Sequence, residues 1–154
     1  MMKIRFVCVG KLGNVHLKAL ADDYRKRLDR LFDLEIVEVK DSDDRDGAAR
    51  LAKEADRIRA AAEPLSECAL WDERGDALDS PGFGMLIAKL ENQSAKRLTF
   101  IIGSSHGVAD ALKAQIPRKL QLSRFTLTHE WARVLALEQL YRARCIQKNL
   151  PYHH

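Results

Sequence analysis

The chain is predicted to fold as an α/β domain around a mostly parallel sheet. Two observations carry this expectation. Five short β-branched or apolar runs alternate with helical patterns along the whole sequence. No repeat, low-complexity stretch or linker interrupts the series. Residues 1–154 are therefore read as one domain, long enough to enclose a core.

The elements follow in order. Lys3 to Val9 is the first strand, bounded by Gly10 and Gly13. Asn14 is placed to cap the next helix. There Leu17, Leu20, Tyr24, Leu28 and Leu31 recur at steps of three and four, which makes one apolar face. Leu34 to Val39 reads as the second strand. The charged stretch 40–50 reads as a loop, and the Ala-rich helix after it stops before Pro64. Cys68 to Trp71 is a short third strand, ended by the turn Asp72-Glu73-Arg74-Gly75. Ser80-Pro81 supplies a cap and then a proline in the first turn, opening a helix to about Asn92. Leu98 to Ile102 is the strongest strand. It enters Gly103-Ser104-Ser105-His106-Gly107 and a helix from Val108 to about Ile116. Leu120 to Leu127 is predicted as the last strand and Glu130 to Lys148 as the last helix.

Composition excludes some classes. An apolar fraction of 46% with 31% charged residues is that of a soluble globular protein. No apolar run approaches the roughly 18 residues of a membrane span. The start, Met1-Met2-Lys3-Ile4-Arg5, lacks the regions of a signal peptide, so a cytoplasmic location is expected. Cys8, Cys68 and Cys145 are far apart and without a CxxC, as expected for reduced cysteines in apolar positions, and no metal site is predicted. The net charge is only +4, but it is unevenly spread. From Lys113 onward there are eight cations against Glu130 and Glu138, while Asp41, Asp43, Asp44 and Asp46 offset them upstream. A basic C-terminal region suits a phosphate-bearing partner.

Three loops, 72–75, 103–107 and 123–129, each follow a predicted strand. In open parallel sheets ligands sit at the carboxyl ends of strands, so neighbouring strands would bring these loops to one pocket. Gly103 and Gly107 would let backbone approach a ligand, or would simply make a tight turn. Gly103-Ser104-Ser105-His106-Gly107 also matches G-x-S-x-G in the strand-to-helix context of a hydrolase nucleophile elbow, with Asp110 and His129 as the other triad members. Against this, Asp110 lies only five residues past Ser105, and the chain is short for that fold. No P-loop or G-x-G-x-x-G is present.

The last helix carries apolar residues on more than one stripe, from Trp131 to Tyr141, which suggests burial on two sides: against the sheet and against a second subunit. Glu138 and Arg142 stand four apart, as a surface ion pair or as part of a polar cluster. The sequence closes on Pro151-Tyr152-His153-His154, residues useful at a site.

Taken together, KIRFVCVGKL at the start, LWDERG at 70–75, IIGSSHG at 101–107, TLTHEWARVLALEQLYRA at 126–143 and the final PYHH closely resemble the ribosomal RNA large subunit methyltransferase H family of the SPOUT superfamily. The resemblance covers essentially the whole chain. It implies a SPOUT-type parallel-sheet domain with helices on both faces and a C-terminal trefoil knot, which sequence rules alone would not have suggested. It implies a homodimer that transfers a methyl group from S-adenosyl-L-methionine to N3 of a pseudouridine in 23S rRNA, acting on the assembled ribosome. By position, the cofactor residues would be Trp71, where the family usually has Leu, together with Gly103, Ser104 and the loop Leu122, Ser123, Arg124, Phe125, Thr126, Leu127 and Thr128. Tyr152 and His153 match the family's terminal Tyr-His. Glu138 and Arg142 match the polar positions of its last helix. The attacking imide nitrogen must lose a proton, so His153, and after it His129, are candidate bases, and Arg124, Arg133 and Arg142 are candidates for holding phosphates. Ser104 stands where a second Gly is usual, and Thr128 where Pro is usual.

Overall fold

The structure, a computed structural model, describes residues 2–154. Its elements are β1 (Lys3–Val9), α1 (Val15–Leu28), β2 (Asp33–Val39), α2 (Gly47–Ala62), a short 3-10 turn (Leu65–Glu67), β3 (Cys68–Ala77), α3 (Ser80–Asn92), β4 (Arg97–Ile102), α4 (Asp110–Gln115), β5 (Arg118–Gln121) and α5 (His129–Gln147). The five strands form one sheet in the order β2-β1-β4-β3-β5, and every pairing is parallel. The α/β expectation therefore holds.

Side-chain alternation along the strands builds two cores. Ile4, Phe6, Cys8, Leu98, Phe100 and Ile102 face one way and are covered by α1, α3 and α5. Val7, Val9 and Ile101 face the other way, under Ala55, Ile58 and Ala62 of α2 and Leu112 of α4. The helices thus lie on both faces. Arg144 of α5 is buried. It grips Glu91 of α3 through two nitrogens at 2.9 and 2.6 Å and lies 3.9 Å over the Phe32 ring.

The expected caps are present, with one shift. Asn14 accepts from the N–H groups of His16 and Leu17. For α3 the capping side chain is Asp79, one residue before the predicted Ser80, accepting from Gly82. In α1 Leu20 is exposed, and Ala21 takes its place on the buried face. All three cysteines are free and buried, and burial pushes the Cys8 and Cys68 thiols up to about 11.

Two differences matter for the site. The Asp72–Gly75 turn is a bulge inside β3: Trp71 and Asp76 both stand opposite Leu120 of β5. Gly75 makes this possible, since a Cβ there would lie 2.6 Å from the backbone of Lys119 and Leu120. In turn, β5 stops at Gln121 rather than Leu127. It is an edge strand with a partner on one side only, and residues 122–128 leave the sheet to form a wall of the cavity described next.

Candidate active site

The three loops that follow β3, β4 and β5 converge on one cavity of about 930 Å3. Trp71 to Arg74 come from the bulge of β3, Gly103 to Val108 from the end of β4, and Leu122, Ser123 and Phe125 to Glu130 from the segment after β5. Of the sequence-predicted cofactor residues, Trp71, Gly103, Ser104, Leu122, Ser123, Phe125, Thr126, Leu127 and Thr128 line it. Arg124 is exposed and is not among the lining residues.

Each wall has a local cause. Trp71 stacks on Phe100 at 5.5 Å and is tilted against Phe83 at 5.4 Å, which fixes the indole as part of the floor. Its ring N–H is buried and has no partner among the described residues, a donor left free for a ligand. Gly103 is the point of closest approach: a Cβ there would meet Val108 Cγ2 at 2.6 Å and the Gly107 carbonyl oxygen at 2.8 Å. Gly107 has φ of +81°, a conformation that favours glycine. An exposed backbone cradle, an orphan donor and an apolar floor suit a ligand with a flat heteroaromatic part and polar substituents.

Thr128 does more than replace a proline. Its φ is −65°, where proline would hold it, and its hydroxyl accepts from the Trp131 N–H to cap α5. The next turn is tied down by Glu130, whose carboxylate accepts from the Gly13 and Asn14 N–H groups at the mouth of α1. The Asn14 N–H, with that of Gly13, holds the Glu130 carboxyl below its ordinary 4.5. A carboxyl with a depressed folded-state pKa contributes stability that is present above 4.5 and is lost as the pH falls through the folded value. Glu130→Gln is expected to lower Tm at pH 7. Thermal melts of wild type and variant should converge as the pH drops below 4.5.

The remaining candidates form a second cluster. Arg142 grips Glu138 through Nε at 3.0 Å and Nη2 at 2.6 Å. The Tyr152 hydroxyl donates to the same Glu138 oxygen at 3.0 Å. A phenol has one proton to give, so the Tyr24 hydroxyl, 2.9 Å away, must donate to Tyr152. Burial first, and then the bonds to Tyr24 and Glu138, push the Tyr152 phenol above its usual range. It stays protonated at neutral pH and acts as a donor, not a base. Tyr141 meets the Tyr152 ring edge-on at 4.8 Å, and the Arg142 guanidinium lies 4.7 Å over it. The tail is thereby anchored, and His153 is exposed at its end with Nδ1 3.3 Å from Arg142 Nη1. Facing a guanidinium donor, Nδ1 accepts, so Nε2 carries the hydrogen of the neutral ring. The Glu138–Arg142 pair is therefore a network and not an isolated surface bridge. Tyr24 belongs to it, although its sequence spacing suggested only an apolar stripe.

The two clusters are apart in one chain. His129 lines the cavity, while Glu138 and Arg142 lie nine and thirteen residues further along α5. At 1.5 Å per residue that is roughly 14 to 20 Å. Arg133 lies in neither cluster: it pairs with Glu38 at 2.7 Å beside a smaller groove.

The hydrolase triad does not form. The Ser105 hydroxyl is 3.3 Å from Nδ1 of its own neighbour His106, and among the described residues no hydrogen bond joins Ser105, Asp110 and His129. Nor do the described residues hold a group of three or more metal-ligating side chains.

The family model described as Predicted SPOUT methyltransferase matches residues 2–153. The chain belongs to the SPOUT methyltransferase family. Curated relatives carry the name ribosomal RNA large subunit methyltransferase H. The one from Geobacter sulfurreducens is 39% identical over 99% of this chain and 100% of its own. That from Desulfovibrio desulfuricans is 38% identical over 98% and 97%, and that from Flavobacterium psychrophilum 36% over 99% of each. Among solved structures, the SpoU methyltransferase AviRb from Streptomyces viridochromogenes covers 95% of this chain and 60% of that chain, with a TM-score of 0.47 and 18% identity. The family resemblance read from the motifs is borne out over residues 2–153.

Proposed function

We propose that the protein is an S-adenosyl-L-methionine-dependent methyltransferase of large-subunit ribosomal RNA, acting on N3 of a pseudouridine in 23S rRNA of the assembled ribosome. The observation that carries this reading is the cavity itself: in a SPOUT chain, the loops after β3, β4 and β5 meet around a glycine cradle and an unpartnered indole N–H. Trp71, Gly103, Ser104, Leu122, Ser123 and residues 125–128 would hold the cofactor, which supplies an electrophilic methyl group on a sulfonium. The chain then has to orient the RNA base and accept the imide proton. Tyr152, locked by Tyr24 and Glu138, sets the position of the tail, and His153 presents its ring. As it stands, His153 offers an Nε2–H to the base. To take the imide proton it must turn away from Arg142, which frees Nδ1. His129 already lines the cavity and is the alternative acceptor.

The active unit is a homodimer in this reading, with the cavity of one chain completed by the tail of the other. Support comes from the separation of the two clusters along α5 and from the exposed Val15 and Trp131 at the adjoining starts of α1 and α5. The trefoil knot is assigned to the segment from β4 to α5, which leaves the sheet after β5 and returns past the cavity to pack on α1 and α3. Among the described residues no helix is long and apolar enough to cross a membrane; in this reading the enzyme meets ribosomes in the cytoplasm.

Calorimetric titration with S-adenosylhomocysteine tests the reading. Binding at about one ligand per chain, on a species of twice the 17.5 kDa chain mass, is expected. No binding would leave a non-catalytic ribosome-binding factor. Labelling of Ser105 by a fluorophosphonate would revive the hydrolase reading instead.

A further inference from the structure

Helix α2 is remote from the predicted site residues in sequence and lies outside the cavity. Yet it presents one side chain that the fold would not tolerate without a purpose. Glu54 is only 2% exposed and sits on the face that carries Ala55, Ile58 and Ala62. Burying a carboxyl among such residues is costly unless its oxygens are bonded. Both are. Oε2 accepts from the Ser42 N–H at 3.0 Å, and Oε1 accepts from the Ser104 hydroxyl at 2.8 Å. One turn earlier, Arg50 places Nη1 2.7 Å from Nε2 of His106. Residues four apart share a helix face, so α2 grips the Gly103–Gly107 loop at two points, Ser104 and His106.

The Ser104 hydroxyl is the hinge of this arrangement. It donates to Glu54 and accepts from the His106 N–H at 3.3 Å. The Ser104 carbonyl receives the Gly107 N–H at 2.9 Å and closes the turn. A glycine at position 104 would leave Glu54 Oε1 buried and without its donor, and the loop without its tether.

We infer that Glu54, with Arg50, is a positioning residue that fixes the cofactor loop of this enzyme through Ser104 and His106. The inference rests on the cofactor reading of the cavity. Its consequence is that Glu54, which does not itself line the cavity, controls cofactor affinity through a residue that does.

The test is a double-mutant cycle. S-adenosylhomocysteine binding is measured by calorimetry for wild type, Glu54→Ala, Ser104→Ala and the double variant, well below their melting temperatures. Each single variant should bind about tenfold more weakly, the effect of one lost hydrogen bond to a charged group. The double variant should be no weaker than either single one, because both remove the same link. Glu54→Gln should stay within about threefold of wild type. Its amide oxygen can still accept from Ser42 while its NH2 donates to the Ser104 hydroxyl. Wild-type affinity in either single alanine variant, or losses that multiply in the double variant, would overturn the inference. Should Glu54→Ala not fold, Ser104→Ala and Glu54→Gln keep the comparison. Amide hydrogen exchange at residues 105–108 reads the loop without any ligand. Faster exchange in Ser104→Ala supports the clamp, and unchanged exchange removes it. If wild type binds no S-adenosylhomocysteine while exchange still responds, the cofactor reading falls and the clamp stands.

Discussion

Removing Tyr152, His153 and His154 is expected to reduce methyl transfer at least about 100-fold while changing S-adenosylhomocysteine affinity less than about threefold. The first number is what a lost proton acceptor and orienting group cost. The second follows from placement: Glu138, Arg142, Tyr152 and His153 form their own cluster on α5, and none of them lines the cavity. Single substitutions divide the effect. His153→Ala should lower kcat with the fold intact, because the ring is exposed. Tyr152→Phe should act more mildly and through the tail's position, since it leaves the ring edge-on to Tyr141 and beneath the Arg142 guanidinium but strips Glu138 and Tyr24 of their shared partner. Single-turnover assays beside calorimetry separate the two effects. A truncated protein with full activity would remove the tail from the site.

Gly103→Ala should weaken S-adenosylhomocysteine binding by roughly 10- to 100-fold, the range that follows from about 1–3 kcal/mol of overpacking strain. The added methyl would overlap Val108 Cγ2 and the Gly107 carbonyl. The side-chain contact can be relieved and the backbone contact cannot. Adding Val108→Ala should therefore restore only part of the affinity. Full restoration would mean that the Gly107 carbonyl has room to move and that the loop is not a fixed cradle.

Much of this was legible in the sequence. β-Branched and apolar runs marked the strands and period-3.6 patterns the helices, and the rule that ligands sit at strand ends pointed loops 72–75, 103–107 and 123–129 to one pocket. What local patterns missed depends on partners far away in the chain. Residues 72–75 read as a turn because they hold Asp and Gly. Only β5, supplied from residues 118–121, turns them into a bulge. Residues 120–127 read as a short last strand, but an edge position with a cavity beside it ends β5 at Gln121. Tyr24 looked like part of an apolar stripe because the hydroxyl that uses it lies 128 residues away. Glu54 left a faint signal, one acid on the face set by Ala55, Ile58 and Ala62, in a helix otherwise read as polar. The departures Ser104 and Thr128 could be seen in the sequence, but their compensations, the Glu54 bond and the α5 cap, could not.

The most direct measurement is methyl transfer from tritiated S-adenosylmethionine to assembled ribosomes that lack the modification, with the labelled nucleotide mapped by mass spectrometry. Label confined to N3 of one pseudouridine in the large-subunit rRNA, and reduced in His153→Ala and in Gly103→Ala, is the predicted result. Label in small-subunit rRNA or protein, or none at all from a dimer that binds S-adenosylhomocysteine, would contradict it.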